Sequence, residues 1–156
     1  MATDDASGTI KIKFKESCMQ KDNKPNSVRF SRTRKHHANE TAEDYVEAVA
    51  EIIGASGECR VLDLAKYFDV SHVTVSRIVK RLQGEDLLVT RPYRPISLTK
   101  QGAKMARHVK LRHEIVLQFL VAIGVDSQTA EIDSEGIEHH VSPKTLAAMK
   151  RFLTNE

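Results

Sequence analysis

The sequence predicts a mostly α-helical chain, with a winged helix-turn-helix at residues 41–99 and a second, all-helical domain at residues 100–156. Three observations predict it. Apolar residues recur at helical spacing through most of the chain after Glu40. One stretch, Leu87 to Thr99, instead reads as two short strands around a turn holding Pro92 and Pro95. Residues 1–40 are polar, basic and almost without periodicity, which predicts a flexible arm ahead of the first domain.

In the first helix Tyr45, Val46, Val49, Ala50, Ile52 and Ile53 form the apolar stripe, and Gly54 to Gly57 supply the stop. A second helix, about Val61 to Phe68, is expected to bury Val61, Leu62, Leu64, Ala65 and Phe68. After a break at Asp69 to Ser71, a third runs from about His72 to Glu85 with Val75, Ile78, Val79 and Leu82 on one face. Three helices and a hairpin, in that order, are the elements of a winged helix-turn-helix. A long helix from about Lys100 to Ile123 follows, then a shorter one capped by Asp126 or Ser127 and reaching His140. The last begins at Ser142-Pro143, a hydroxyl cap followed by a proline where no amide hydrogen is needed, and carries Leu146, Met149 and Phe152.

Bulk composition excludes more than it selects. Hydrophobic residues make up 40% and charged residues 29% of 156, an ordinary globular balance. The net charge of +3 is too small to argue for nucleic acid by itself. Its distribution is more informative: residues 1–39 hold nine basic and four acidic side chains, leaving the remainder slightly acidic. A basic arm can add salt-sensitive phosphate contacts or be a plain solvated tail. Cys18 and Cys59 lie far apart and suit free thiols in a reducing compartment. With no apolar run of about 18 residues and no secretory leader at the amino terminus, a cytoplasmic location is expected and no membrane partner.

The second and third helices place the reading chemistry. Small Ala65 permits a close crossing, Val70 and Val75 are expected to plug the angle, and the outer face of the third helix is left with Ser71, His72, Thr74, Ser76, Arg77 and Lys80. Hydroxyls and long basic groups near a helix amino terminus suit base edges and phosphates in a major groove. Arg91, Tyr93 and Arg94 fall at the wing tip. Double-stranded DNA is the expected partner; the bland reading of the same pattern is a helical hairpin for protein contacts.

A second set of residues carries metal-ligand chemistry. Asp44 and Glu47 stand one turn apart on the first helix, Glu135, Glu138 and His139 share one face of a later helix, and His113 lies on the long helix between them. Singly, each fragment is ordinary surface charge or an interface histidine. Four carboxylates and two imidazoles without sulfur suit a hard ion such as Mn²⁺. His140, adjacent to His139, cannot share its face and is expected to be exposed or outside the ligand shell; His36 and His37 read as tail.

Glu43 to Glu47, Arg112 to Glu114 and Glu135 to Ser142 resemble the manganese transport regulator branch of the diphtheria toxin repressor family, with spacings in register over roughly residues 41–154. The resemblance implies that Asp44, Glu47, His113, Glu135, Glu138 and His139 hold two Mn²⁺ ions per subunit through bridging carboxylates. It implies a homodimer joined by the carboxy-terminal helices, acting as a Mn²⁺-dependent repressor of manganese uptake genes, with no organic cofactor and no enzymatic role. Iron-responsive relatives carry Met and Cys at the positions matching Asp44 and Glu135, which puts this sequence on the manganese side. Two departures are expected: no third, SH3-like domain, and a longer basic arm. Two other readings compete. A repressor of the same fold could instead respond to Fe²⁺, Zn²⁺ or a small molecule. A two-metal hydrolase would use similar ligands, but no nucleophile, base or substrate segment stands out, and it leaves the helix-turn-helix unexplained.

Overall fold

The structure, a computed structural model, describes the backbone of residues 26–91 and 94–154 and, within those ranges, side chains from His37 onward. The elements run α1 (Asn26–Ser56), α2 (Val61–Tyr67), α3 (His72–Gly84), β1 (Leu88–Val89), β2 (Ser97–Leu98), α4 (Lys100–Ala122), α5 (Ser127–Ile137) and α6 (Pro143–Thr154). The winged helix-turn-helix and the all-helical second half are both present in the expected order.

The first correction is at the amino end. α1 begins at Asn26, so residues 26–40 of the expected arm are helical and continuous with the first domain; residues 1–25 lie outside the described part. No single glycine or proline interrupts residues 26–53, and the polar character that suggested an arm is equally compatible with a solvated helix. The stop at the other end is as expected: α1 closes at Ser56 and Gly57 takes the left-handed φ of +84°.

Local chemistry sets the starts of α3, α4, α5 and α6. Ser71, Thr99, Asp126 and Ser142 each accept a hydrogen bond from the amide three residues on, at 3.2, 2.9, 3.0 and 3.2 Å. α5 stops at Ile137, short of the expected His140, with Glu138 at its carboxy-terminal cap. Glu138 and His139 therefore lie at and just beyond the helix end, not all on one helical face with Glu135.

The first core gathers Val46 and Val49 of α1, Leu64 of α2, Val75, Val79 and Leu82 of α3, and Leu87, Leu88 and Ile96 of the wing. Two apolar positions depart from expectation. Leu62 is 63% exposed and Val70 lies at the surface, because Leu64 of α2 and Val75, Val79 and Leu82 of α3 fill the interior between the two helices. Buried Cys59 pairs with Ile96, whose amide donates to the Cys59 carbonyl at 2.7 Å, adding a bridge beside the β1–β2 ladder (Leu88 with Leu98, Val89 with Ser97).

α4 ties the halves together. Its first turns press on the first domain, with Ala106 in that core, and Gly102 sits so close to the wing that a Cβ there would lie 2.1 Å from the Leu87 carbonyl oxygen. Further along, α5 and α6 pack on α4. α6 has no fully buried residue: Phe152 meets Phe119 edge-on, with ring centres 5.4 Å apart, yet stays 43% exposed. Leu111, Val121, Ile123 and Ile132 are also exposed in this half. Among the described residues no helix is long and apolar enough to cross a membrane.

Candidate metal centre and nucleic-acid interface

Helix geometry puts Asp44 and Glu47 on the same side of α1, facing α4 and the end of α5. His113 comes in from the middle of α4, and its Nδ1 is 3.1 Å from Glu138 Oε2 and 3.5 Å from Glu135 Oε1. His139, released from α5 by the early helix stop, turns its Nε2 to within 3.1 Å of Asp44 Oδ1 and 3.6 Å of Glu138 Oε1. Asp44, His139, Glu138, His113 and Glu135 thus form an unbroken polar chain from α1 to α5. Glu47 lines the same cavity of about 600 Å³, together with Asp44, His113, Glu135 and His139. All six sequence-predicted ligands converge.

The burial is uneven. Glu138 is 1% exposed and the His139 side chain 6%, whereas the Glu135 side chain is 70% exposed. Burial, aided by Glu47 and Glu135, pushes the Glu138 carboxyl up to about 7 against the opposing pull of His139 and His113. Burial and the neighbouring charges of Glu51 and Glu135 also raise Glu47. Hydrogen bonds to Asp44 and Glu43 raise His139 as well, up to about 10, which for an imidazole favours the charged form. These carboxylates crowd one another, and two imidazoles stand between them.

Whether the residues fit a metal can be tested on Glu138. Its Oε2 is buried with no well-directed hydrogen bond, His113 Nδ1 at 3.1 Å being its near polar neighbour, a costly state for a carboxylate oxygen unless a cation completes its contacts. A divalent cation would do so, and the oxygen-and-imidazole donor set is one that Mn²⁺ accepts. Among the described residues, no three His, Cys, Asp or Glu side chains are already closed on a single point; the donors pair with one another across the cavity.

Sequence reasoning missed the supporting groups. Glu43, one residue before Asp44, has one oxygen 2.6 Å from Arg112 Nη2 and 2.8 Å from His139 Nδ1. Burial alone would raise its pKa, but those two hydrogen bonds outweigh it and hold it low. Tyr67 and Phe68, at the end of α2, line the cavity too. The Tyr67 hydroxyl donates to Glu51 at 2.7 Å and Phe68 stacks on Tyr45 at 4.4 Å. The helix-turn-helix is therefore part of the cavity wall, a relation that no local pattern signals.

On the other side of the first domain, His72, Thr74, Ser76, Arg77 and Lys80 are all exposed along α3, as are Arg91 and Arg94 at the wing. Ser71 is exposed as well, but its hydroxyl caps α3 by accepting from the Thr74 amide. Tyr93 lies outside the described residues. Val73, which the sequence reading passed over, is 55% exposed among these polar groups. An exposed apolar side chain there is suited to a thymine methyl.

The comparisons with known proteins agree with this division. Residues 37–96 match the model described as iron dependent repressor, N-terminal DNA binding domain, and residues 99–155 match iron dependent repressor, metal binding and dimerisation domain. The chain is 41% identical over 123 residues to the transcriptional regulator MntR of Escherichia coli O157:H7, covering 79% of each protein. It is 39% identical over 100 residues to the HTH-type transcriptional regulator MntR of Bacillus subtilis, covering 64% of this chain and 70% of that one. Among solved structures, the manganese regulator SloR superposes with a TM-score of 0.64 at 26% identity, over 74% of this chain and 54% of that one. A manganese-dependent transcriptional repressor in complex with manganese gives 0.65 at 24% identity, a likeness of fold, over 72% and 52%. The chain spans about half the length of those two solved proteins.

Proposed function

The chain belongs to the iron-dependent repressor family, to which the diphtheria toxin repressor also belongs, and from that premise we propose that Mn²⁺ held between its two halves fixes its DNA-reading helices for operator binding. It is a manganese-responsive, DNA-binding transcriptional repressor and not an enzyme, with a homodimer as the DNA-binding form. The observation that carries the mechanism is the polar chain from Asp44 through His139, Glu138 and His113 to Glu135.

Asp44 and Glu47 belong to the DNA-binding half, Glu135, Glu138 and His139 to the second half, and His113 to the helix joining them. Divalent charge converts carboxylate repulsion into attraction across that junction. The arrangement has two poles, one with His139 beside Asp44 and one with His113 beside Glu135, and Glu138 reaches both. Two ions would fit that layout, Asp44 and His139 holding one and His113 and Glu135 the other, with Glu138 in reach of each. Because Tyr67 and Phe68 form part of the wall, closing the cavity also restrains α2, and through it α3.

The exposed apolar side chains of the second half, Leu111, Val121, Ile123, Ile132 and Phe152, supply surface for a partner copy. A two-fold dimer with its reading helices about 34 Å apart would address successive major grooves. A coupling of only about 1–3 kcal/mol between metal and DNA sites suffices for a useful switch.

Operator binding measured by fluorescence anisotropy on DNA from upstream of the chain's own gene and of manganese-uptake genes, with free Mn²⁺, Fe²⁺ and Zn²⁺ each buffered, tests the reading. Affinity should rise with free Mn²⁺ within its cellular range. A response to Fe²⁺ or Zn²⁺ at equal or lower free concentration would replace Mn²⁺ as the inducer.

A further inference from the structure

Outside the six ligands, a second group of donor side chains meets on the solvent side of α1. His37 and Glu40 are one turn apart on that helix, with His37 Nδ1 3.2 Å from Glu40 Oε2. The other oxygen of the same carboxylate, Oε1, faces His140 Nε2 at 3.9 Å. His140 follows α5 and is remote in sequence, so the junction of α1 with the α5 turn has brought the three together. We propose that His37, Glu40 and His140 form a separate cation site that takes a borderline ion of the Zn²⁺ type, distinct from the Mn²⁺ ligands.

Two imidazoles and a carboxylate are a donor set that Zn²⁺ uses when its fourth position is left to water. Two ligands held about 2.0–2.2 Å from a tetrahedral ion lie roughly 3.3–3.6 Å apart. The His37–Glu40 pair is already near that spacing, and the His140–Glu40 pair must close by a few tenths of an ångström. The three groups are paired rather than gathered on one point. Both imidazoles are well exposed, 69% for His37 and 59% for His140, which leaves their rings free to turn toward a shared ion.

Nitrogen-rich donors favour Zn²⁺ over Mn²⁺, while the carboxylate-rich cavity inside suits the harder ion. Glu40 stands at the rim of that cavity, one turn from Asp44, and His140 adjoins His139. An ion here would pin the α5 turn to α1 from outside. It would also give Zn²⁺ a place to sit other than among the Mn²⁺ ligands. This site stands on its own geometry and does not depend on the identity of the inducing metal.

The test uses the full chain saturated with Mn²⁺ and dialysed against buffered free Zn²⁺, with both metals counted per chain and operator binding measured alongside. H37A, H140A and E40Q should each lower Zn²⁺ affinity at the additional site by at least about tenfold, the lower bound seen for mere outer partners of metal ligands. Bound Mn²⁺ and Mn²⁺-dependent DNA affinity should stay at wild-type level in H37A and H140A. H36A should keep the additional Zn²⁺. Wild-type Zn²⁺ uptake in both H37A and H140A overturns the proposal, as does loss of that uptake in H36A alone. Thermal unfolding of each metal-free variant, expected to match the wild type, separates ligand loss from damage to the fold.

Discussion

His139 is held between two carboxylates of one helix: its Nδ1 is 2.8 Å from Glu43 and its Nε2 3.1 Å from Asp44. A ligating imidazole whose other nitrogen is fixed by a carboxylate has its ring orientation and its basicity set from behind. Glu43 is in turn anchored by Arg112 from α4. Glu43→Gln should therefore lower Mn²⁺ affinity about 10- to 100-fold while leaving Glu43's neighbours folded and the dimer intact. Isothermal titration with Mn²⁺ and sedimentation of the same samples would check both halves; unchanged Mn²⁺ affinity would remove Glu43 from the supporting shell.

The six proposed ligands are separable by the kind of failure they should produce. Glu135→Cys puts a thiolate at the most exposed ligand position and should shift the DNA response toward Fe²⁺ and Zn²⁺ relative to Mn²⁺. His113→Ala removes the group that touches both Glu135 and Glu138 and should weaken the response to every metal. A wild-type Mn²⁺ response in His113→Ala would rule out the six-ligand assignment.

Arg77→Ala and Lys80→Ala should each weaken operator binding without changing metal uptake, because both side chains point away from the core of α3. Where the lost contact is to phosphate, the slope of log affinity against log salt should fall by about one. Val73→Ala should instead leave the salt slope alone and relax the preference at one base pair. Competition with unrelated DNA across a salt series distinguishes the two behaviours.

Gly102 is fixed by a backbone approach and not by a turn. A methyl group there would press on the Leu87 carbonyl, which already accepts from the Thr99 amide at 3.1 Å. Gly102→Ala should cost about 1–3 kcal/mol as an overpacked contact, seen as a lower Tm with α4 pushed off the wing. An unchanged Tm would mean the junction is softer than its geometry implies.

Cys59 offers a pH test clear of the metal ligands. Burial pushes its thiol up from about 9 to about 11, so the folded chain holds this proton more tightly than the unfolded one. The stabilisation is complete below pH 9 and is lost as pH rises through 11. In a Cys18→Ser background, the stability difference between Cys59 and Cys59→Ala should hold steady to pH 9 and then shift against Cys59. The native thiol should also resist alkylation at neutral pH; rapid labelling of the folded chain would contradict its burial.

Most helix positions and the exposed polar face of α3 were legible in the chain because each is a local matter, whereas the start of α1 and the end of α5 were not, and the six ligand candidates stood out as a set only through the family resemblance. A stripe every three or four residues, a hydroxyl before a helix, or two carboxylates one turn apart can be seen without knowing what lies opposite. Tertiary structure alone decided which of those groups became buried, paired or exposed. Leu62 and Leu64 are the same residue type two positions apart on one short helix, yet one is 63% exposed and the other fully buried, because only Leu64 faces the three-helix angle. Glu138 became a buried, half-satisfied carboxylate because α5 ends beside α1 and α4. Glu43 became the partner of His139 because residues 96 apart were carried to hydrogen-bonding distance. Burial and pairing depend on the segment that arrives from elsewhere in the chain, and periodicity carries no information about that arrival.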